Sequence, residues 1–414
     1  MLKRFFVALI VLISGITFAQ EGTSSPYSFY GIGELKFKGT VENRSMGGIS
    51  VFTDSIHLNI QNPASVARLG LVNYTVGGSH RVTRLKNTSE SEQSTATSLG
   101  YIAIGVPMGK FGASFGLIPF TSVGYDVQLD DANGTEIYQG TGGLNKAFLT
   151  LAYQITPELS AGVDANYNFG NIENTAVAFL DDVQFGSREF NKSDLLGFSF
   201  NFGLAYHRMI TEELELMASA TYTPETNFKS NNVRERATVV MSPGSNELIA
   251  IDSEMEEVPN TDFTFPSQYT LGVGVGKPKK WFVGAEYTDQ KTSNFNNRTF
   301  EITNVTFTDA TKVRLGGFYI PDYKSFTSYF KRMVYRAGFR FEETGISVDG
   351  TKINEFGISF GVGLPVGRLF SNVNVGFEFG RRGTTDFNLI QENFFNTYIS
   401  LSLNDRWFQK RYYD

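Results

Sequence analysis

Gly112-Ala113-Ser114-Phe115-Gly116 has the G-x-S-x-G spacing of a nucleophile elbow, where a serine on a strand-to-helix turn attacks an acyl carbon. No helical pattern follows it; Gly112, Ser114 and Gly116 instead share one parity of an alternating run. Gly272-Val273-Gly274-Val275-Gly276 and Gly361-Val362-Gly363 have the glycine spacing of dinucleotide loops but lack a βαβ context. His57, His80 and His207 show no ligand-like spacing to one another or to carboxylate pairs, and cysteine is absent. The expectation is therefore no enzyme, no metal and no cofactor. Charged residues are more telling. Arg314, Arg336, Arg340 and Glu342 fall on one parity of neighbouring alternating runs, and Asp164, Glu215, Glu286 and Glu378 do so elsewhere. What such charges do depends on the solvent outside the elements that carry them.

Residues 195–223 identify that solvent. Leu196, Phe198, Phe200, Phe202, Leu204 and Tyr206 occupy one parity, with Gly197, Ser199, Asn201, Gly203, Ala205 and His207 on the other. After a polar turn at 210–213, Leu214, Leu216, Ala218, Ala220 and Tyr222 alternate with Glu215, Ser219, Thr221 and Thr223. Strands of soluble sandwiches usually run about five or six residues and carry a charged outer face. These run about ten, the length that crosses hydrocarbon at a tilt of about 45°, and their polar parity is small. The hairpin reads as transmembrane, apolar side out. An outward arginine at the midplane would cost about 2–4 kcal/mol, so Arg314, Arg336 and Arg340 must point inward. There they can pair with other charges and with whatever fills the lumen, or meet a carboxylate head group.

The ends and the composition agree. Lys3 and Arg4 precede an apolar run to Ile13, and Thr17-Phe18-Ala19 supplies small residues for a signal peptidase, so residues 1–19 are expected to be a signal peptide. That run is too short to span a bilayer. Mean hydropathy is −0.16, which for a membrane protein requires a barrel that hides its polar half. The 38 Phe and 19 Tyr suit lipid-facing strands and interfacial girdles. A net charge of −6 argues against nucleic acid as a partner; the expected surroundings are outer-membrane lipid.

Residues 20–70 do not alternate and are punctuated by glycine, as a hatch inside the lumen or the periplasm would be. From 71 to 408, period-two alternation marks fourteen strands, beginning at 71–82 and ending at 395–403. The fold class is all-β, an antiparallel up-and-down transmembrane barrel. Short connections such as 156–158, 210–213 and 321–332 are expected to alternate with long loops such as 121–145, 170–194 and 224–267. That asymmetry places both termini, including a tail at 409–414, in the periplasm of an outer membrane.

Residues 44–68 now carry a resemblance. Arg44-Ser45-Met46-Gly47-Gly48, then Asp54, Asn62-Pro63-Ala64 and Leu69, resemble the N-terminal hatch of the FadL-type long-chain fatty-acid transporter family. Phe111 to Gly124, interrupted by Gly116 and Pro119, resembles that family's kinked third strand, and 266–272 is also similar. The last stretch, with Asn396-Thr397-Tyr398 and Trp407-Phe408, looks like members from Bacteroidota. The resemblance implies a fourteen-stranded barrel that takes up hydrophobic small molecules such as long-chain fatty acids. Gly47, Gly48, Asn62, Pro63 and Ala64 would form the gate, and release would be sideways at Gly116, Pro119 and Phe120. It implies an alternative too, because barrels of this kind also serve as accessory subunits of protein secretion or barrel-assembly complexes, with other outer-membrane proteins as partners.

Overall fold

The computed structural model describes residues 22–131, 134–242, 248–295, 304–367 and 371–407. The expected signal peptide and the 409–414 tail lie outside the described residues.

Alternation is imposed on the sixth strand, Gly186–Met209, by its two solvents. Phe198, Phe200, Phe202 and Leu204 stand on the outer surface, while Ser199 and Asn201 are buried inside. Its neighbour, Leu159–Leu180, matches that pattern in register, with Tyr167 opposite Phe198 outside and Asp164 opposite Asn201 inside. Repeated around the molecule, this produces a closed antiparallel barrel of fourteen strands, each paired with the next. The first, Val72–Lys86, closes the ring against the last, Gln391–Asp405.

Three of the strands are interrupted. The third comprises Phe111–Pro119 and Thr121–Asp131, the seventh Glu215–Thr223 and Thr226–Met241, and the eighth Leu248–Glu256, Thr261–Phe265 and Gln268–Lys277. A short piece, Val305–Phe307, precedes the tenth strand, Ala310–Tyr319. The first barrel strand begins and the last one ends at the same end of the barrel, Val72 opposite Asp405, as an even strand number requires.

The stretches expected as long loops are corrected by the structure: 121–145, 170–194 and 224–267 are mostly strand. Beyond the lipid both faces of these strands meet polar surroundings, so the hydrophobic alternation fades while the hydrogen-bond ladder continues. Arg234, Glu235 and Arg236, read as loop charges, pair in register with Asn191, Phe190 and Glu189 of the sixth strand. Conversely the 321–332 connection, expected among the short ones, is a long turn carrying a single helical turn at Phe330–Arg332.

Residues 22–71 lie within the barrel. Their regular pieces are short: Pro26–Phe29, Val41–Arg44 and Pro63–Arg68, with a two-residue strand at Glu34–Leu35. Thr40 and Asn43 form a reciprocal capping box on Val41–Arg44, which satisfies donors that a four-residue helix cannot satisfy itself. Substituting Phe202, outward on the sixth strand, with arginine should cost about 2–4 kcal/mol. Denaturant unfolding in lipid vesicles measures it; a change under about 0.5 kcal/mol, the level of an inert surface site, would remove this face from the lipid.

Candidate functional site

Glycine determines where the plug can sit. Gly47 (φ +70°) and Gly48 (φ +88°) bend it sharply against the wall, and the wall answers with Gly316 and Gly338. A Cβ on Gly338 would come 2.0 Å from the Gly47 nitrogen, and one on Gly316 2.0 Å from the Met46 carbonyl oxygen. Gly112 faces the Val66 carbonyl in the same way, at 2.2 Å. Small residues of the lumen parity are thus seats for the plug backbone.

At the next level polar side chains tie the plug down. Asn62, in extended backbone, accepts from the Ala64 N–H at 3.0 Å and donates to the Leu204 carbonyl at 3.0 Å. The Gly47 N–H donates to Ser359 at 2.9 Å, and Ser50 donates to Glu286 at 2.6 Å. Arg68 donates to the Glu158 carbonyl at 2.6 Å and meets His207, which contacts Glu215 at 2.9 Å.

Charges form a third link. Glu34 of the plug sits 2.6 Å from Arg81 and 2.9 Å from Arg382. Arg382 contacts Glu355, Glu355 contacts Arg340, Arg340 lies 2.7 Å from Glu378, and Glu378 lies 2.8 Å from Arg44 of the plug. Signs alternate along all seven.

Glu34 also stands at a break in the wall. The second strand, Ser91–Met108, pairs with the third only from Ile102 to Met108. Pairing stops at Leu117, two residues before Pro119, which has no N–H to offer a ladder. Above Phe120 the third strand stays bonded to the fourth, Gly134–Gln154, and parts from the second. On the parted edge Glu34 pairs with Ser122 and Leu35 with Thr121, and the Lys36 N–H donates to the Phe120 carbonyl at 2.9 Å. The plug thereby serves as a piece of wall.

Behind the break lies a cavity of about 340 Å³ bordered by Lys36, Lys38, Phe120, Lys146 and Arg314, among others. The Lys146 ammonium sits 4.0 Å from the Phe120 ring centroid, and Lys38 pairs with Asp164 at 2.9 Å. Of the three arginines singled out in the sequence, Arg340 is committed to Glu378 and Glu355, Arg336 donates to Asn374 at 3.0 Å, and Arg314 lies 3.7 Å from Glu286. Gly116, Pro119 and Phe120 lie along the parted strand, and Pro63 and Ala64 rest against Gly162 and Gly203. Sequence reasoning missed Glu34, Arg81, Lys146 and Arg382, and it placed Arg44 in the hatch motif without its partner Glu378. Lys146 and Arg81 stand in alternating runs, where parity could have found them; Glu34 and Arg44 lie in aperiodic chain that carries no such signal.

The family model described as BamG matches residues 1–414. The chain belongs to the BamG family. No curated protein matches it in sequence. Among solved structures the BamG-family chain is similar to the Ralstonia pickettii toluene transporter TbuX, with a TM-score of 0.60 and 14% identity over 89% of this chain and 99% of that one. The P. putida toluene transporter TodX gives 0.60 and 14% over 90% and 100%. A Pseudomonas aeruginosa FadL homologue gives 0.58 and 11% over 90% and 98%. At these identities the likeness is one of fold: this BamG-family barrel is built like the toluene transporters TbuX and TodX and the FadL homologue.

Replacing Glu34 with glutamine should leave Arg81 buried without its carboxylate, at a cost of about 3–5 kcal/mol. The expected readout is faster deuterium exchange at 34–36 and 121–122 with the remaining barrel ladder unchanged. Gly338→Val should instead free the 45–48 turn. Unaltered exchange at 34–36 in Glu34→Gln would show that the ion chain does not hold the parted wall.

Proposed function

We propose that this BamG-family barrel is an accessory outer-membrane subunit of a protein secretion or barrel-assembly complex, with both termini in the periplasm and a lumen closed by its plug. The observation that carries this reading is the charge lining of the lumen. A neutral hydrocarbon passing the 340 Å³ cavity would have to displace water or partners from Lys36, Lys38, Lys146 and Arg314. Uncompensated buried charges cost several kcal/mol each, more than a small apolar ligand recovers at roughly 25 cal/mol per Å² buried. An inert lumen leaves the rims, the far-end strand extensions and the tail to do the binding. Purification from native outer membranes in mild detergent should bring down a stoichiometric set of outer-membrane proteins, diminished on trimming Gln409 to Asp414. Liposomes containing the pure barrel should take up fatty acid no faster than empty ones. Saturable uptake without co-purifying partners overturns the proposal.

A second reading is favoured by the parted wall: uptake of a hydrophobic small molecule such as a long-chain fatty acid, with lateral release beside Pro119 and Phe120. Lys146 and Arg314 would take the carboxylate, and the gate would be the plug around Gly47, Gly48 and Asn62–Ala64. In this reading Pro119→Val, which restores an N–H to the strand, should slow ligand release in liposomes while the barrel remains intact. An unchanged release rate counts against lateral exit.

A further inference from the structure

The barrel end at which the first strand begins and the last one ends carries a sector where aromatic and basic side chains cluster. Trp281 pairs in register with Tyr319, and Tyr319 with Tyr335, so three adjacent strands present one aromatic row. Tyr319 and Tyr335 are exposed on the outer surface. Tyrosine and tryptophan in such a row mark the boundary between hydrocarbon and head groups.

Immediately beyond it lies the 320–333 turn, where Phe326 is fully exposed and Phe330 is 71% exposed. The Tyr335 hydroxyl donates to the Phe330 carbonyl at 3.1 Å, which ties the turn back to the aromatic row. The adjoining 278–280 turn is fastened to it: the Ile320 N–H donates to the Lys280 carbonyl at 2.7 Å, and the Lys280 ammonium to the Pro321 carbonyl at 3.2 Å.

Lys279, Lys280, Lys324, Lys331 and Arg332 are exposed in these two turns. Among the described residues none of the five meets a carboxylate. Lys279 lies over Tyr323 and Arg332 over Tyr329, at 5.3 and 5.4 Å. Asp322, the sector's acid, accepts from its own turn at the Lys324 N–H. Elsewhere on this rim the described turns carry Lys110, Glu158, Glu212 and Glu213. The positive charge is therefore local, in a chain whose net charge is −6.

We propose that the 278–280 and 320–333 turns form an anchor for anionic phospholipid. Phe326 and Phe330 enter the boundary between acyl chains and head groups, and the five cations take the phosphates. Charge complementarity favours lipid over a protein partner, as does the position of the turn one residue past the aromatic row, where a bilayer surface must lie. The leaflet concerned is the periplasmic one if the termini are periplasmic; the binding itself requires neither that orientation nor the assembly role.

The test places an indole at the turn by Phe326→Trp and compares it with the unmodified barrel, which supplies the background of Trp281 and Trp407. The barrel is folded into vesicles of phosphatidylcholine and phosphatidylglycerol in a fixed ratio, with only one of the two lipids brominated on its tails. Heat-modifiable migration confirms folding of each variant. The expected result is a blue-shifted emission quenched by both lipids, with quenching by brominated phosphatidylglycerol above its mole share. A cation near a bilayer surface changes affinity about fivefold, so Lys324→Gln, Lys331→Gln and Arg332→Gln together should abolish that excess and leave the blue shift. An unshifted, unquenched indole overturns the anchor and assigns the patch to a protein partner. Quenching in proportion to mole share overturns its preference for anionic lipid.

Discussion

A charge buried in a barrel lumen must find its opposite, and here seven side chains do so in series. The chain Arg81, Glu34, Arg382, Glu355, Arg340, Glu378 and Arg44 starts on the wall, enters the plug at Glu34, recrosses the wall and returns to the plug at Arg44. Each inner member is flanked by opposite charges, so displacing one uncovers two neighbours. Such networks hold together more tightly than their pairs taken singly. Two distant points of the plug, the seam strand and the short helix, are thereby coupled through the wall.

That coupling bears on the break above Phe120. Open strand edges are not tolerated in hydrocarbon, because backbone groups there have no water to bond. The barrel meets the constraint with Glu34–Leu35 from inside and not with a continuous ladder. Holding the plug and completing the wall are consequently one act, and the ion chain serves both. The glycine seats have a complementary part. Gly316 and Gly338 admit the plug backbone at Met46–Gly47, and Gly112 and Gly162 admit it at Val66 and Pro63 on other strands.

Much of the architecture was legible in the chain. Lipid outside and polar atoms inside force a period of two, so Phe198, Phe200 and Phe202 announce their face by spacing alone, and fourteen such runs announce a closed ring. Asn62 ahead of Pro63 announces extended backbone and a cap, both of which the structure contains. The same signal fails where its cause ends. Thr226–Met241 continues as strand after the hydrophobic alternation stops, because its ladder is maintained by neighbours and not by a lipid face. Arg382 and Glu392 consequently look like loop charges, although both stand in strands.

The sequence by itself determined the class, the strand number and which side chains face lipid, since each follows from spacing within about ten residues of chain. Only the tertiary structure decided which inward charge meets which. Glu34 reaches Arg382, and Arg44 reaches Glu378, across more than three hundred residues. Their meeting depends on closure of the ring and on the depth of the plug. No local period encodes either quantity, because both are set by the summed register of every strand around the barrel.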